Sequence, residues 1–309
     1  MLGALGLLVV GAVILYAGAE AAIRGAAGLA RALRIRPFVL GALLFGIDLE
    51  SLGAAVAASA RGQTALSVGE IVGTVLFLYG AAFGVALLLS RSPVRSPPPI
   101  LVLAPGLHLV AGAFALADRY VSRAEGVLLV LAYVAYVLLL LRTGRYPAGA
   151  TEIEREAERV PDSGLRSTLF TIGGLVLVAA GAAVLVAGGS RFVVASGLAA
   201  GFVGAAVLGV LVSLDEVLLE VLPIRRGTPE LATGNLFGTL PAYAAGVLGL
   251  AALVRPVDTD SAAATGYLAM ASLYAVVAAV FMARGRAGRW LGAFLLLCYA
   301  AWLAVASTL

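Results

Sequence analysis

Apolar residues run along this chain in long blocks, each closed by Arg, Pro or an acidic cluster. A helix needs about 20 mostly apolar residues to cross the hydrocarbon of a bilayer. Ten blocks meet that demand and predict ten spans: Leu2–Glu20, Phe38–Ala60, Ser67–Leu89, Ile100–Ala117, Gly126–Leu141, Leu169–Gly188, Phe202–Leu222, Leu231–Leu253, Ala262–Met282 and Trp290–Leu303. The first and sixth blocks run on into Ala21–Leu33 and Phe192–Ala200, which stay rich in Ala, Gly and Leu, so longer helices are expected there. Arg142–Arg166 is the sizeable polar segment, and its run Thr151–Arg159 carries alternating charges at i,i+4 spacing, as a solvated helix does. The pattern predicts an all-α polytopic membrane protein with a first bundle over residues 1–142, a linker over 143–166 and a second bundle over 167–309.

Composition agrees. Of 309 residues, 62% are apolar and 12% charged, where globular chains run roughly 45–50% and about 25%. A single cysteine, Cys298, excludes a disulfide scaffold, and with one histidine, His108, a Cys/His zinc site is excluded too. All 21 basic residues are Arg, scattered between apolar runs, so no nucleic-acid partner is expected. No signal peptide is expected, because no basic segment precedes Glu20.

The arginines orient the chain. Five (Arg61, Arg119, Arg123, Arg191, Arg255) fall on one side of the predicted spans and the other 16 on the opposite side. Basic residues stay cytoplasmic. Both termini are therefore expected outside a cell membrane, with residues 143–166 in the cytoplasm.

A repeat lies within the sequence. Arg61–Thr74 aligns without gaps on Arg226–Thr239, with six of fourteen positions identical at an offset of 165 residues. The same offset pairs Leu49 with Leu214, Val56 with Val221 and Gly84 with Gly249. Spans one to five thus resemble spans six to ten, and because five is odd the second copy must sit upside down. Inverted repeats mark secondary transporters, whose ion site lies near midplane where the repeats meet.

Acids inside the spans fall at corresponding places in the two halves. Span two carries Asp48 and Glu50 beside Ser51, and span seven carries Ser213, Asp215, Glu216 and Glu220. Span three opens with Gly69-Glu70 and span eight with Gly234-Asn235. Five carboxylates facing lipid would cost roughly 12–18 kcal/mol, so Asp48, Glu50, Glu70, Asp215 and Glu216 must share an interior or face water. Crowded there without a cation, some would hold protons that a bound cation displaces. Oxygen donors without Cys or His suit hard cations such as Ca²⁺, Na⁺ or Mg²⁺.

At these residues the sequence resembles the cation/calcium exchanger superfamily of sodium/calcium and proton/calcium antiporters. That family carries Gly-Thr-Ser-Leu-Pro-Glu in spans two and seven and Gly-Asn-x-x-Gly-Ser in spans three and eight. The resemblance implies ten spans in two inverted halves. It places the cation at Ser51 and Glu216, where the family has Glu, and at Glu70 and Asn235, where it has Asn or Asp. The family's Pro is replaced by Glu50 and Asp215, and its Ser by Asp48 and Ser213. Losing Pro removes the obvious cause of a helix break.

The function expected is an antiporter exchanging Ca²⁺ or another hard cation against Na⁺ or H⁺ by alternating access, with the bilayer and inorganic cations as partners. No cofactor is expected beyond the transported ion. A scaffold that has lost transport, and less readily an intramembrane carboxylate enzyme, are the other readings. The enzyme lacks a nucleophile–base or metal–histidine arrangement. Thr74, Thr239 and the tyrosines read as structural.

Overall fold

The computed structural model describes residues 1–32, 48–103, 106–143, 164–225, 229–259 and 261–309. The polar run Thr151–Arg159 lies outside them. Nearly everything described is helix, as a chain crossing a bilayer requires, since lipid offers no partner to a bare N–H or C=O.

The first part of the chain forms α1 (Leu2–Ala32), α2 (Leu49–Ala60), α3 (Thr64–Leu76), a wider π-helical turn (Phe77–Ala82), α4 (Phe83–Leu89), β1 (Val94–Arg95), α5 (Pro99–Leu103), α6 (Gly106–Ala117), β2 (Tyr120–Val121) and α7 (Arg123–Thr143). The second forms α8 (Gly164–Ser196), α9 (Ala200–Val203), a π turn (Gly204–Leu208), α10 (Gly209–Val212), α11 (Leu214–Arg225), α12 (Pro229–Pro241), a π turn (Ala242–Val247), α13 (Leu248–Val254), β3 (Val257–Asp258), α14 (Ser261–Arg284), β4 (Arg286–Ala287) and α15 (Arg289–Ala306). The π turns at Phe77–Ala82 and Ala242–Val247 stand 165 residues apart, as the sequence repeat does.

Eight helical stretches among the described residues are long and apolar enough to cross a membrane. They correspond to eight of the ten runs read from sequence. The two exceptions are the runs at Phe38–Ala60 and Phe202–Leu222. Only α2 of the former is described, and the latter breaks at Ser213 between α10 and α11. Helices α1 and α8 do extend past their apolar blocks, to 31 and 33 residues.

Spans three and eight are innermost, being buried over 78% and 82% of their apolar stretches where the other six reach only 28–44%. Residues on them, Glu70 included, are thereby withdrawn from lipid. Phe83, Phe237 and Phe281 pack edge-on or tilted to one another beside this centre, with Tyr79 edge-on against Phe237.

Helices α1 and α8 lie antiparallel at backbone contact. Glycines at heptad spacing, Gly11, Gly18 and Gly25 on α1 and Gly174, Gly181 and Gly188 on α8, make this possible. A Cβ on Gly11 would strike the backbone of Leu185, one on Gly18 that of Val178, and one on Gly181 that of Leu15. In a membrane such close packing of small residues supplies the attraction that hydrophobicity cannot.

Two short ladders tie the loops. β1 pairs antiparallel with β4 and β2 with β3. The helical stretch Pro99–Ala117 separates them, so they close opposite ends of the bundle.

Candidate cation site

A helix start in span two and a helix interruption in span seven frame the site. In span two, α2 starts at Leu49 behind Asp48, whose backbone is non-helical (φ −55°, ψ 121°) and whose carboxylate Oδ1 accepts the N–H of Glu50 at 2.8 Å. This is an N-cap, an oxygen satisfying one of the orphan donors of a helix start. In span seven the helix stops at Val212 and restarts at Leu214, with Ser213 at φ −117°, ψ 15°. Asp48 and Ser213 stand at the repeat offset from each other, so a helix start in one half corresponds to a helix break in the other, and neither position is proline.

Freed backbone groups in a membrane interior need partners. At Ser213 the first helix provides one. The Tyr16 hydroxyl donates to the Leu211 carbonyl at 3.0 Å and accepts the Leu214 N–H at 3.2 Å.

Glu70 lies beside the start of α2 and the break in span seven and is wholly buried. Glycines explain how. Gly69 and Gly73 of α3 meet the backbone of Gly201 and Ala205, while Gly204 and Gly209 meet that of Glu70 itself. Spans three and seven therefore run parallel with their main chains touching at the acid. Ser51, also fully buried, and Asp48 are its neighbours from span two. Thr74, one turn on, brings its hydroxyl to 3.4 Å from Glu70 Oε1 and 3.2 Å from the Gly209 carbonyl. The Ser213 hydroxyl donates to the Gly209 carbonyl at 2.7 Å and also lies 3.2 Å from Thr74 Oγ1.

Glu70 is thus poorly served. A strong O–H···O bond spans about 2.7–2.8 Å, and Thr74 has one proton to divide between two acceptors. Glu70 Oε2 and Ser51 Oγ have no hydrogen-bond partner among the described residues. Burying a carboxylate without a partner is costly. The surroundings nonetheless supply only oxygen atoms: carboxylates, hydroxyls and a carbonyl. Such a set fits a hard cation, or a proton on Glu70 when no cation is there.

The remaining residues singled out in the sequence divide into two groups. Glu50 is buried in the first turn of α2. Glu216 lies buried one turn beyond Ser213 on α11, with Glu220 as its neighbour a further turn along. Glu220 is fully buried, neither carboxyl oxygen has a hydrogen-bond partner among the described residues, and Tyr79 of span three is near it. Asp215 and Asn235 sit on α11 and α12, but their side chains lie outside the described residues. Glu20 pairs with Arg24 on the exposed face of α1. No group of three or more His, Cys, Asp or Glu gathers as a metal cluster among the described residues.

Three side chains that the sequence left as structural take part. Thr74 joins Glu70 to span seven, Tyr16 joins span one to the break, and the Tyr243 hydroxyl donates to Asp48 Oδ2 at 3.2 Å. Thr74 carried one signal, its match to Thr239 after equivalent glycines. The tyrosines carried none, because their partners lie about 195 residues away.

Comparison with known proteins bears on this arrangement. Residues 3–142 and 166–308 match the profile of the family described as sodium/calcium exchanger protein. The putative antiporter CaxA of Alkalimonas amylolytica is 28% identical over 282 residues, 87% of each chain. Inner membrane protein YrbG of Escherichia coli (strain K12) is 27% identical over 319 residues, covering 99% of this chain and 97% of that one. Among solved structures, the sodium-calcium exchanger NCX_Mj soaked with 2.5 mM Na⁺ and 0.1 mM Ca²⁺ superimposes with a TM-score of 0.62 at 20% identity, covering 97% of both chains.

Proposed function

The chain belongs to the sodium/calcium exchanger family, and from that premise we propose that it is a secondary active antiporter exchanging Ca²⁺ or another hard cation against Na⁺ or H⁺. The observation that carries this reading is Glu70: a wholly buried carboxyl with one unserved oxygen, set among hydroxyls and a carbonyl beside a helix start and a helix break. Ser51, Glu70 and Ser213 form the core of the proposed cation site. Asp48 and Glu50 of span two, Asp215 and Glu216 of span seven and Asn235 of span eight complete it.

The reading includes ten spans in two inverted halves, 1–142 and 167–309, joined by a cytoplasmic linker, with both termini outside a cell membrane. Three features support the symmetry: the helix start at Asp48 matching the break at Ser213, the paired π turns, and the ladders, in which β1 and β3 stand 163 residues apart and β2 and β4 166, close to the repeat offset. Alternating access would come from α1 and α8 moving as a pair past the remaining bundle. Their glycine-lined contact supports a joint motion.

The test is ion flux in proteoliposomes. Ca²⁺ uptake should require an opposing Na⁺ or H⁺ gradient and should vanish in Glu70→Gln and in Glu216→Gln. Uptake that persists in both variants at the wild-type rate refutes the site. A protein silent to every cation and gradient would instead favour a scaffold.

A further inference from the structure

A groove of about 340 Å³ opens between α14 and α15, where Arg284, Arg286 and Trp290 line its mouth and Val276, Val280 and Phe294 its depth. No acid lines it. The mouth lies at the β1–β4 ladder, and there Arg286 stands directly opposite Arg95, both exposed. Like charges directly opposite on paired strands repel. None of Arg95, Arg284 and Arg286 bonds a carboxylate among the described residues. Arg289 differs, since its Nε donates to the Ser90 carbonyl at 3.0 Å. Trp290, 92% exposed, stands at the first turn of a membrane span, the depth at which tryptophan meets lipid headgroups.

We infer that this groove binds an anionic phospholipid, its phosphate between Arg284 and Arg286 and an acyl chain along Val276, Val280 and Phe294. An anion at this point offsets the Arg95–Arg286 repulsion, and guanidinium groups meet phosphate oxygens two at a time. Basic pockets between spans on the cytoplasmic side take anionic headgroups. Apolar depth behind a basic mouth selects a lipid over free phosphate. The inference rests on the membrane orientation proposed above and not on transport, so it stands or falls apart from the antiport reading.

Trp290 is the reporter, because the chain has two tryptophans and Trp302 is buried. In a Trp302→Phe background, quenching of Trp290 by phosphatidylglycerol with brominated chains is compared with quenching by brominated phosphatidylcholine in mixed bilayers. Two arginines near the headgroup should give phosphatidylglycerol a preference of roughly five- to tenfold, weakened by salt. The preference should fall to near parity in Arg284→Gln/Arg286→Gln. Equal quenching by both lipids, or a preference unchanged in the double variant, overturns the proposal. So does loss of the preference on adding inorganic phosphate at constant ionic strength, which would make the site one for the free anion. Should the double variant misfold, native mass spectrometry of the wild type supplies the second reading. Phosphatidylglycerol retained no better than phosphatidylcholine refutes the site.

Discussion

Tyr16 and Leu214 are 198 residues apart, yet the phenol of one accepts the main-chain N–H of the other at 3.2 Å. The same hydroxyl donates to Leu211. The first helix therefore holds both sides of the break in span seven, and any shift of α1 along the bundle must give up these bonds.

Tyr16→Phe should accordingly lower stability in detergent by about 1 kcal/mol, the usual net contribution of a hydrogen bond, since one of the two bonds is part-buried and the other exposed. Denaturant titration followed by circular dichroism measures it. An unchanged midpoint would mean that water or lipid headgroups serve the break equally well.

Glu70→Gln should remove stabilisation by cations along with their flux. A ligand stabilises the state it binds by RT ln(1 + [L]/Kd), so Ca²⁺ at about 100 times Kd raises stability by about 2.7 kcal/mol. Thermal unfolding of the wild type should shift upward with the transported cation and that of Glu70→Gln should not. An equal shift in both proteins would place the cation elsewhere.

Thr74→Val deletes a hydroxyl of nearly the same volume between Glu70 and Ser213, so the fold should persist while cation affinity falls about tenfold, the equivalent of about 1.4 kcal/mol. Thr74→Ser should restore most of it. Concentration dependence of uptake reads both variants, and a Val variant with wild-type affinity would return Thr74 to a packing role.

Gly18→Leu places a side chain where α1 and α8 meet backbone to backbone. Overpacking of this kind costs about 1–3 kcal/mol, and expression or detergent stability should drop. Gly3→Leu, where a Cβ meets nothing within 4 Å, is the matched control and should be neutral.

Much of this architecture could be read from the chain. The apolar blocks gave the long helices, and the offset between Arg61–Thr74 and Arg226–Thr239 is also the distance between the two π turns at Phe77–Ala82 and Ala242–Val247. Glu70 and Ser51 stood out because an acid or a hydroxyl is conspicuous in a run of Leu, Val and Gly. The helix start at Asp48 and the break at Ser213 were not legible, since the usual signal, proline, is missing. Asp48 replaces it by capping α2 through its own side chain, and Ser213 depends on Tyr16 from another span.

What the sequence determined by itself is which segments are apolar enough to enter a membrane and which polar groups they carry, because solvation of each residue in lipid or water is a local property. Only the tertiary structure decided which oxygens surround Glu70, how Tyr16 and Tyr243 are used, and that Arg95 faces Arg286. Those outcomes depend on backbones brought together by glycine contacts across more than a hundred residues. Contact between distant segments is a property of the packed bundle, and no stretch of chain holds it alone.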